Sequence, residues 1–185
     1  FGSQYTQLIA RRVREIGVFS EVKPSSIAIE KIIEMNPSGI ILSGGPETVT
    51  MSSSQKVHKS LLKAKIPILG ICYGMQTIAN ELGGSVIKSE VREFGHAEIS
   101  YVNQSILFDN VNFDSDSLDV WMSHGDKVEV LPENFDIIAS SKDCKVAGFQ
   151  NADSNIFGLQ FHPEVTHTNQ GKQILSNFIF KVCNC

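Results

Sequence analysis

Cys72 has the sequence surroundings of a catalytic nucleophile. It lies in Gly70-Ile71-Cys72-Tyr73-Gly74, where an apolar run meets a predicted helix and glycines stand two residues to either side. A nucleophile at such a strand-to-helix turn needs small neighbours, because the turn is tight and its backbone is strained. The amides and dipole of the helix N-terminus stabilise a thiolate, and the Tyr73 amide is placed to face a developing oxyanion. For this motif alone, a buried structural cysteine is the alternative.

His162 and Glu164 have the types and spacing of a base and the carboxylate that orients it. They lie in Gln160-Phe161-His162-Pro163-Glu164, at the end of an apolar run. In an extended chain residues i and i+2 face the same way, so the carboxylate can orient the imidazole and stabilise its cationic form. For this motif alone, a surface histidine beside a solvated glutamate is the better explanation. Together with Cys72, the pair predicts a Cys-His-Glu triad.

A glycine pair follows another predicted buried strand, in Ser43-Gly44-Gly45-Pro46. We expect this segment to lie beside Cys72 at the carboxyl edge of the sheet, where active sites of open α/β sheets collect. Adjacent glycines let backbone amides approach a substrate oxygen, so Gly45 is a candidate second oxyanion donor. A plain turn is the alternative for this motif alone.

The elements that must position these motifs alternate between helix and strand in the first half of the chain. Periodicity predicts helices over residues 5–16, 27–35, 55–64 and 74–82, and strands over 18–22, 39–43 and 66–71. The last two strands are apolar throughout, as is typical of strands buried on both faces. Strands that alternate with helices predict parallel pairing.

Short β segments dominate the second half. Strands are predicted over residues 85–88, 97–102, 118–122, 127–131, 136–140, 147–150 and 156–161, and a closing helix over 169–182. We therefore predict a single α/β domain over residues 1–185, with a central mixed, mostly parallel β-sheet flanked by helices.

The composition excludes several classes of protein. The chain has 185 residues, of which 42% are apolar, enough for one globular domain with its own core. Sixteen Lys and Arg against twenty Asp and Glu give a net charge of -4 without a long basic run, which argues against a nucleic-acid partner. The densest apolar run, residues 66–72, contains Pro67 and Gly70, so no transmembrane helix is predicted.

The termini and the cysteines bear on where the protein works. The first residues have no signal-peptide pattern and no initiator Met, and we expect a first strand upstream of Phe1. Cysteines at 72, 144, 183 and 185 are too few and too unevenly spaced for a disulfide framework, which favours a reducing, cytoplasmic setting. No residues have zinc-ligand spacing, so we expect no metal.

Three strings together resemble the class I, triad-type glutamine amidotransferases. They are Ser-Gly-Gly-Pro at 43–46, Gly-Ile-Cys-Tyr-Gly-Met-Gln at 70–76 and Gln-Phe-His-Pro-Glu at 160–164. Longer strings at 1–14, 119–126 and 162–168 are similar to those of the amidotransferase domains of the GMP synthetase family. The resemblance covers essentially the whole chain and implies the flavodoxin-like fold of class I amidotransferases.

The resemblance implies a role for each matching residue. Cys72 would attack the side-chain amide of L-glutamine, His162 would carry the proton to the leaving ammonia, and Glu164 would hold the imidazole. Gly45 and Tyr73 would supply the oxyanion amides. Contacts with the substrate, largely through backbone atoms, are implied for Gly44, Gln76 and a loop formed by Ser123, His124, Gly125 and Asp126.

The resemblance also implies a partner. An ATP-pyrophosphatase domain, in the same polypeptide or as a subunit, would use ATP and magnesium to aminate XMP to GMP, whereas glutamine hydrolysis would need no cofactor. That domain has no counterpart in the sequence, and neither does the apolar strand that normally precedes the opening string. The opening string is more similar to the fused, two-domain form.

Three other functions remain open. The first is an amidotransferase that serves a different acceptor, as in anthranilate or carbamoyl phosphate synthesis. The second is a non-catalytic regulatory domain that binds glutamine, and the third is a hydrolase of another acyl substrate. The strings at 119–126 and 162–168 argue against the first and the third. The intact set of Cys72, His162 and Glu164 argues against the second.

Overall fold

A mixed seven-stranded sheet is the centre of the computed structural model, which describes all residues from Phe1 to Cys185. The strands are β1 (Ile40–Leu42), β2 (Ile68–Ile71), β3 (Ser85–Tyr101), β4 (Ser117–Val130), β5 (Asp136–Ser141), β6 (Gly148–Asn151) and β7 (Ile156–Leu159). Their order in the sheet is β1-β2-β7-β6-β5-β3-β4. β2 pairs in parallel with β1 and β7, and the other four pairs are antiparallel.

The single α/β domain with a mixed sheet is confirmed, but the prediction that the sheet is mostly parallel is wrong. Parallel pairing is confined to the end of the sheet that holds β1, β2 and β7. β5, β6 and β7 are joined by the loops 142–147 and 152–155, which are too short for a parallel crossover and so connect antiparallel neighbours. The helix-strand alternation of the first half does not continue into the second half.

Helices cover both faces of the sheet, as predicted. They are α1 (Thr6–Glu15), α2 (Ile29–Met35), α3 (Lys59–Leu62), α4 (Tyr73–Glu81) and α5 (Gly171–Ser176), which continues as a π-helical turn over Asn177–Val182. Successive residues of β2 point to opposite faces: Leu69 joins Ile9 and Phe178 in one core, whereas Ile68 joins Ile78 in the other. None of the helices combines the length and the apolarity that crossing a membrane requires.

Three observed elements and one absent strand differ from the predictions. β3 and β4 each join two predicted strands, so residues 123–126 lie within a strand instead of a loop. Gly95 and Gly125 lie in these strands and interrupt the alternation by which a strand is recognised. The helix predicted over 55–64 is shortened to α3. Residues 18–22 form no strand.

A groove along the free edge of β1 explains the missing strand at 18–22. The groove has a volume of about 660 Å³, and Ile41 of β1 lines it together with Phe19 and Val22. Its lining is mostly apolar, and Phe19 is 83% exposed. Because the groove separates residues 18–22 from β1, these residues have no neighbouring strand with which to pair.

Candidate active site

Cys72 occupies a tight turn between β2 and α4. Its φ of 53° and ψ of -110° lie where residues other than glycine are uncommon. A β-carbon on Gly70 would lie 2.6 Å from the backbone of Gly74, and one on Gly74 would collide with the carbonyl oxygen of Leu42. The close approach of α4 to the sheet therefore requires both glycines. The strand-to-helix turn predicted from the sequence is present.

His162 lies just beyond β7 and contacts Glu164 directly. Its Nδ1 is 2.7 Å from Oε1 of Glu164, and the two side chains are only 4% and 0% exposed. The backbone route differs from the extended strand predicted, because residues 163–164 form a turn. The His162 amide donates to the Trp121 carbonyl at 3.0 Å, and the Thr168 hydroxyl donates to the His162 carbonyl at 2.6 Å. These bonds fix the imidazole where the carboxylate can orient it.

Cys72, His162 and Glu164 interact as one buried group. Burial disfavours the imidazolium, but the hydrogen bonds and charges of Cys72 and Glu164 outweigh burial and raise the pKa of His162 to about 10. Gly44 lies against both His162 and Cys72, since a β-carbon there would be 3.5 Å from Cε1 of His162 and 3.6 Å from Cβ of Cys72. Tyr5 packs edge-to-face on the imidazole, with ring centroids 5.2 Å apart.

Two backbone amides next to this group are free. Tyr73 is the first residue of α4, where an amide has no acceptor within the helix. The Gly45 amide donates to no protein acceptor. The hydroxyl of Tyr73 donates to the Gln55 carbonyl at 2.7 Å, so the ring is committed elsewhere and only the amide can serve an oxyanion. That role stays a prediction for both residues.

The Ser123–Asp126 stretch of β4 presents carbonyl groups to the site. The thiol of Cys72 donates to the Ser123 carbonyl at 3.4 Å, and Nε2 of Gln76 donates to the Asp126 carbonyl at 2.8 Å. Gln76 is buried, and its Nε2 also lies 3.1 Å from Oε1 of Gln160. The structure thus brings Gln76, Ser123 and Asp126 to Cys72, in the neighbourhood that the sequence predicts.

The side chain of His124 is committed to protein groups. It is 1% exposed, its Nε2 lies 3.1 Å from Oε2 of Glu93, and its Nδ1 lies 3.0 Å from the Asp126 carbonyl. Neither ring nitrogen is left for a substrate, so any contact between His124 and a substrate must come from the His124 backbone. Glu93 is not among the site residues predicted from the sequence. Arg92 lies close by, 3.8 Å from where a β-carbon on Gly125 would be.

Two groups of potential metal ligands form in three dimensions although the sequence has no metal-ligand spacing. One group comprises Glu93, His124 and Cys144, and the other comprises His96, Glu98 and Asp119. Within each group the ligand atoms lie within 4.8 Å of one another. Each histidine is already paired with a carboxylate, at 3.1 Å in the first group and 2.7 Å in the second. In both groups a contact within the protein therefore explains why the histidine and a carboxylate lie together.

The geometry suits covalent attack on a carbonyl carbon. A cysteine at a helix N-terminus, an imidazole beside it and a carboxylate behind the imidazole are the parts of a nucleophilic acyl-transfer site. The cysteine comes from the turn after β2 and the other two residues from the turn after β7, with the loop after β1 beside them. The sheet order explains their meeting, because β2 lies between β1 and β7.

Comparisons with known proteins agree with this geometry. Residues 1–182 match the family model described as glutamine amidotransferase class-I. A GMP synthase [glutamine-hydrolyzing] of Teredinibacter turnerae is 52% identical over 190 residues, and one of Pseudomonas fluorescens is 53% identical. The match covers all of this chain but only 36% of either relative, so the chain spans about a third of their length.

Solved structures show the same fold. A Thermoplasma acidophilum protein, described provisionally as one subunit of a GMP synthase, aligns with a TM-score of 0.88 and 35% identity over 99% of this chain and 90% of that chain. A glutamine amidotransferase of Thermotoga maritima aligns with a TM-score of 0.60 and 25% identity over 69% of this chain and 66% of its own. The chain belongs to the class I glutamine amidotransferase family.

Proposed function

We propose that this chain hydrolyses L-glutamine to glutamate and ammonia through a thioester on Cys72. The observation that carries the proposal is the buried group of Cys72, His162 and Glu164, in which Nδ1 of His162 lies 2.7 Å from Oε1 of Glu164. Membership of the amidotransferase family supports glutamine as the substrate. Hydrolysis needs only side chains and water, so we propose no cofactor for this half of the reaction.

The reaction proceeds in two acyl-transfer steps. The sulfur of Cys72 forms a bond to the side-chain amide carbon, and the carbon-nitrogen bond breaks as His162 gives its proton to the leaving ammonia. Water then adds to the thioester while His162 takes a proton, and the carbon-sulfur bond breaks to release glutamate. Glu164 keeps the imidazole oriented and balances its positive charge throughout.

Backbone amides stabilise the negative oxygen formed in each step. We assign this role to Gly45 and Tyr73, whose free amides lie next to the triad. For the remainder of the glutamine molecule we propose contacts with Gly44, Gln76 and the Ser123–Asp126 stretch. The carbonyls of Ser123 and Asp126 already face Cys72 and Gln76, and such carbonyls suit the α-amino group of an amino acid.

We further propose that the ammonia is used to aminate XMP to GMP. The names of the relatives, which match this chain at 52% and 53% identity, support this acceptor. Because the chain spans 36% of their length, we assign the amination to a further ATP-pyrophosphatase domain or subunit that binds ATP and magnesium. We place the whole reaction in the cytoplasm.

The test is glutamate release from L-glutamine by the full-length protein, measured with and without ATP and XMP. We expect release in both conditions and a faster rate with the nucleotides, because binding at the acceptor site favours the aligned form of the glutaminase site. Glutamate release that neither nucleotide changes, without formation of GMP, would indicate an acceptor other than XMP. Glutamine binding without any glutamate release would point to a regulatory domain.

The groove along β1 leads to a proposal about the strand that we expect before Phe1. We propose that a strand of the full-length protein fills the groove and pairs with the free edge of β1, and that the segment before Phe1 supplies it. The Phe1 amino group lies 3.2 Å from the Ser43 hydroxyl, next to the carboxyl end of β1. We expect slower amide exchange at Ile41 in a form that includes this segment than in residues 1–185 alone. Equal exchange rates would refute the proposal.

A further inference from the structure

We infer that Glu93 is a positioning residue of the glutamine site: through His124 it holds the Ser123–Asp126 stretch in place beside Cys72. The inference rests on the proposed function, because the effect it assigns to Glu93 is on glutamine binding. Glu93 touches neither Cys72 nor Gln76 in the hydrogen-bond pattern, so it acts through its neighbour.

Glu93 and His124 are directly opposite each other on β3 and β4. Glu93 is the residue at which pairing resumes after a register shift that follows Lys88. Oε2 of Glu93 and Nε2 of His124 lie 3.1 Å apart without the alignment of a hydrogen bond, and neither atom has another partner. With side chains that are 10% and 1% exposed, water cannot replace either partner easily.

The other oxygen of Glu93 anchors this pair to the loop after β5. Oε1 accepts a hydrogen bond from the Ser141 hydroxyl at 2.9 Å, and the amide of Cys144 donates to the same hydroxyl at 3.0 Å. Burial opposes ionisation of Glu93, but the contacts from His124 and Ser141 prevail and lower the pKa of Glu93. The carboxylate is therefore a fixed point at the centre of β3, β4 and β5.

His124 transmits this position to the glutamine site. Its Nδ1 is 3.0 Å from the Asp126 carbonyl, which also accepts the 2.8 Å hydrogen bond from Gln76. The residue before it, Ser123, accepts the bond from Cys72 at 3.4 Å. Without Glu93, Nε2 of His124 would be a buried nitrogen with no partner, and the ring would have to move to find one. Movement of His124 displaces the carbonyls on both sides of it.

The experiment compares Glu93→Ala with the parent in the full-length protein. We expect the KM for L-glutamine to rise about tenfold or more while kcat changes less, because the displaced carbonyls hold the α-amino end of the substrate and not its reacting amide. GMP formation from free ammonia, which bypasses this site, should stay at the parental rate. Glu98→Ala is the matched control, since Glu98 is exposed on the same strand and should leave KM unchanged.

Glu93→Gln separates positioning from a folding defect. A glutamine side chain at position 93 keeps the shape of glutamate and can donate a hydrogen bond to Nε2 of a neutral His124 imidazole. We therefore expect the KM for the substrate L-glutamine to return to within about threefold of the parent. Alkylation of Cys72 by iodoacetamide, which needs no glutamine contacts, should still occur in both variants, because the turn between β2 and α4 does not depend on Glu93. A parental KM in Glu93→Ala, or a loss of Cys72 alkylation that matches the loss of activity, would overturn the inference. Absence of glutamate release in the parent would instead reject the proposed function.

Discussion

Replacement of Cys72 by alanine should lower glutamine hydrolysis by at least about 10⁴-fold, because no other group near His162 can form the thioester. The full-length variant should still aminate XMP with free ammonia, since the acceptor reaction does not use the thiol. Glutamate release and ammonia-dependent GMP formation, measured on the same preparation, check both expectations.

A second cysteine serves as the control for this experiment. Cys185 is an exposed free thiol, remote from the triad in sequence, so Cys185→Ala should hydrolyse glutamine at the parental rate. Mass spectrometry after exposure to a glutamine-like electrophile should place the label on Cys72 in the parent and in Cys185→Ala. Parental hydrolysis in Cys72→Ala would show that the nucleophile is a different residue.

Glu164→Gln should lower kcat/KM for glutamine by roughly 10³-fold or more. The carboxylate accepts from Nδ1 of His162 at 2.7 Å, whereas a glutamine amide can donate to that nitrogen and hold the wrong tautomer. The variant also loses the negative charge that balances the imidazolium of His162 in the parent. The pH profile of kcat/KM, measured on both proteins, checks this result, and an unchanged profile would contradict the role assigned to Glu164.

The same variant should show a pH-dependent loss of stability. The pKa of His162 is raised to about 10 in the folded protein from an ordinary value of 6.5, so its charged form stabilises the fold. That contribution is complete below about pH 6.5 and is lost as the pH rises through about 10. The difference in free energy of unfolding between parent and Glu164→Gln should therefore be largest near about pH 6 and smallest near about pH 10 in urea titrations.

An exposed histidine-carboxylate pair provides the matched control. His96 and Asp119 also lie 2.7 Å apart, but their side chains are 61% and 46% exposed. Solvent screens this pair, so Asp119→Asn should change stability little at either pH. A stability difference for Asp119→Asn as large as that for Glu164→Gln would mean that burial is not what gives the His162 pair its effect.

The meeting of Cys72, His162 and Glu164 could be predicted because each residue has a local signal. Gly70 and Gly74 mark the turn at Cys72, and the collisions that a β-carbon would meet there show why glycine is needed. His162 and Glu164 are two residues apart, so they can meet without help from the remainder of the fold. Their contact formed even though the backbone turns where an extended strand was predicted.

Features that depend on distant residues were not predictable in the same way. Glu93 meets His124 only because β3 and β4 pair again from Glu93 onward, and Gly95 and Gly125 interrupt the alternation from which these long strands could have been predicted. The prediction of a mostly parallel sheet was wrong for a related reason. The direction in which two strands pair depends on the segment that connects them, and the short loops of the second half make neighbouring strands antiparallel. The strand predicted at 18–22 is absent because a strand needs a neighbour, and the groove separates these residues from β1.

The backbone at Cys72 has a consequence for natural variation at this position. A side chain with φ of 53° costs about 1–3 kcal/mol relative to a relaxed backbone, and glycine would avoid that cost. Selection for stability alone would therefore favour losing the cysteine, and inactive copies of this domain have a physical reason to drift toward glycine at residue 72. A cysteine that persists there is a sign that its chemistry is in use.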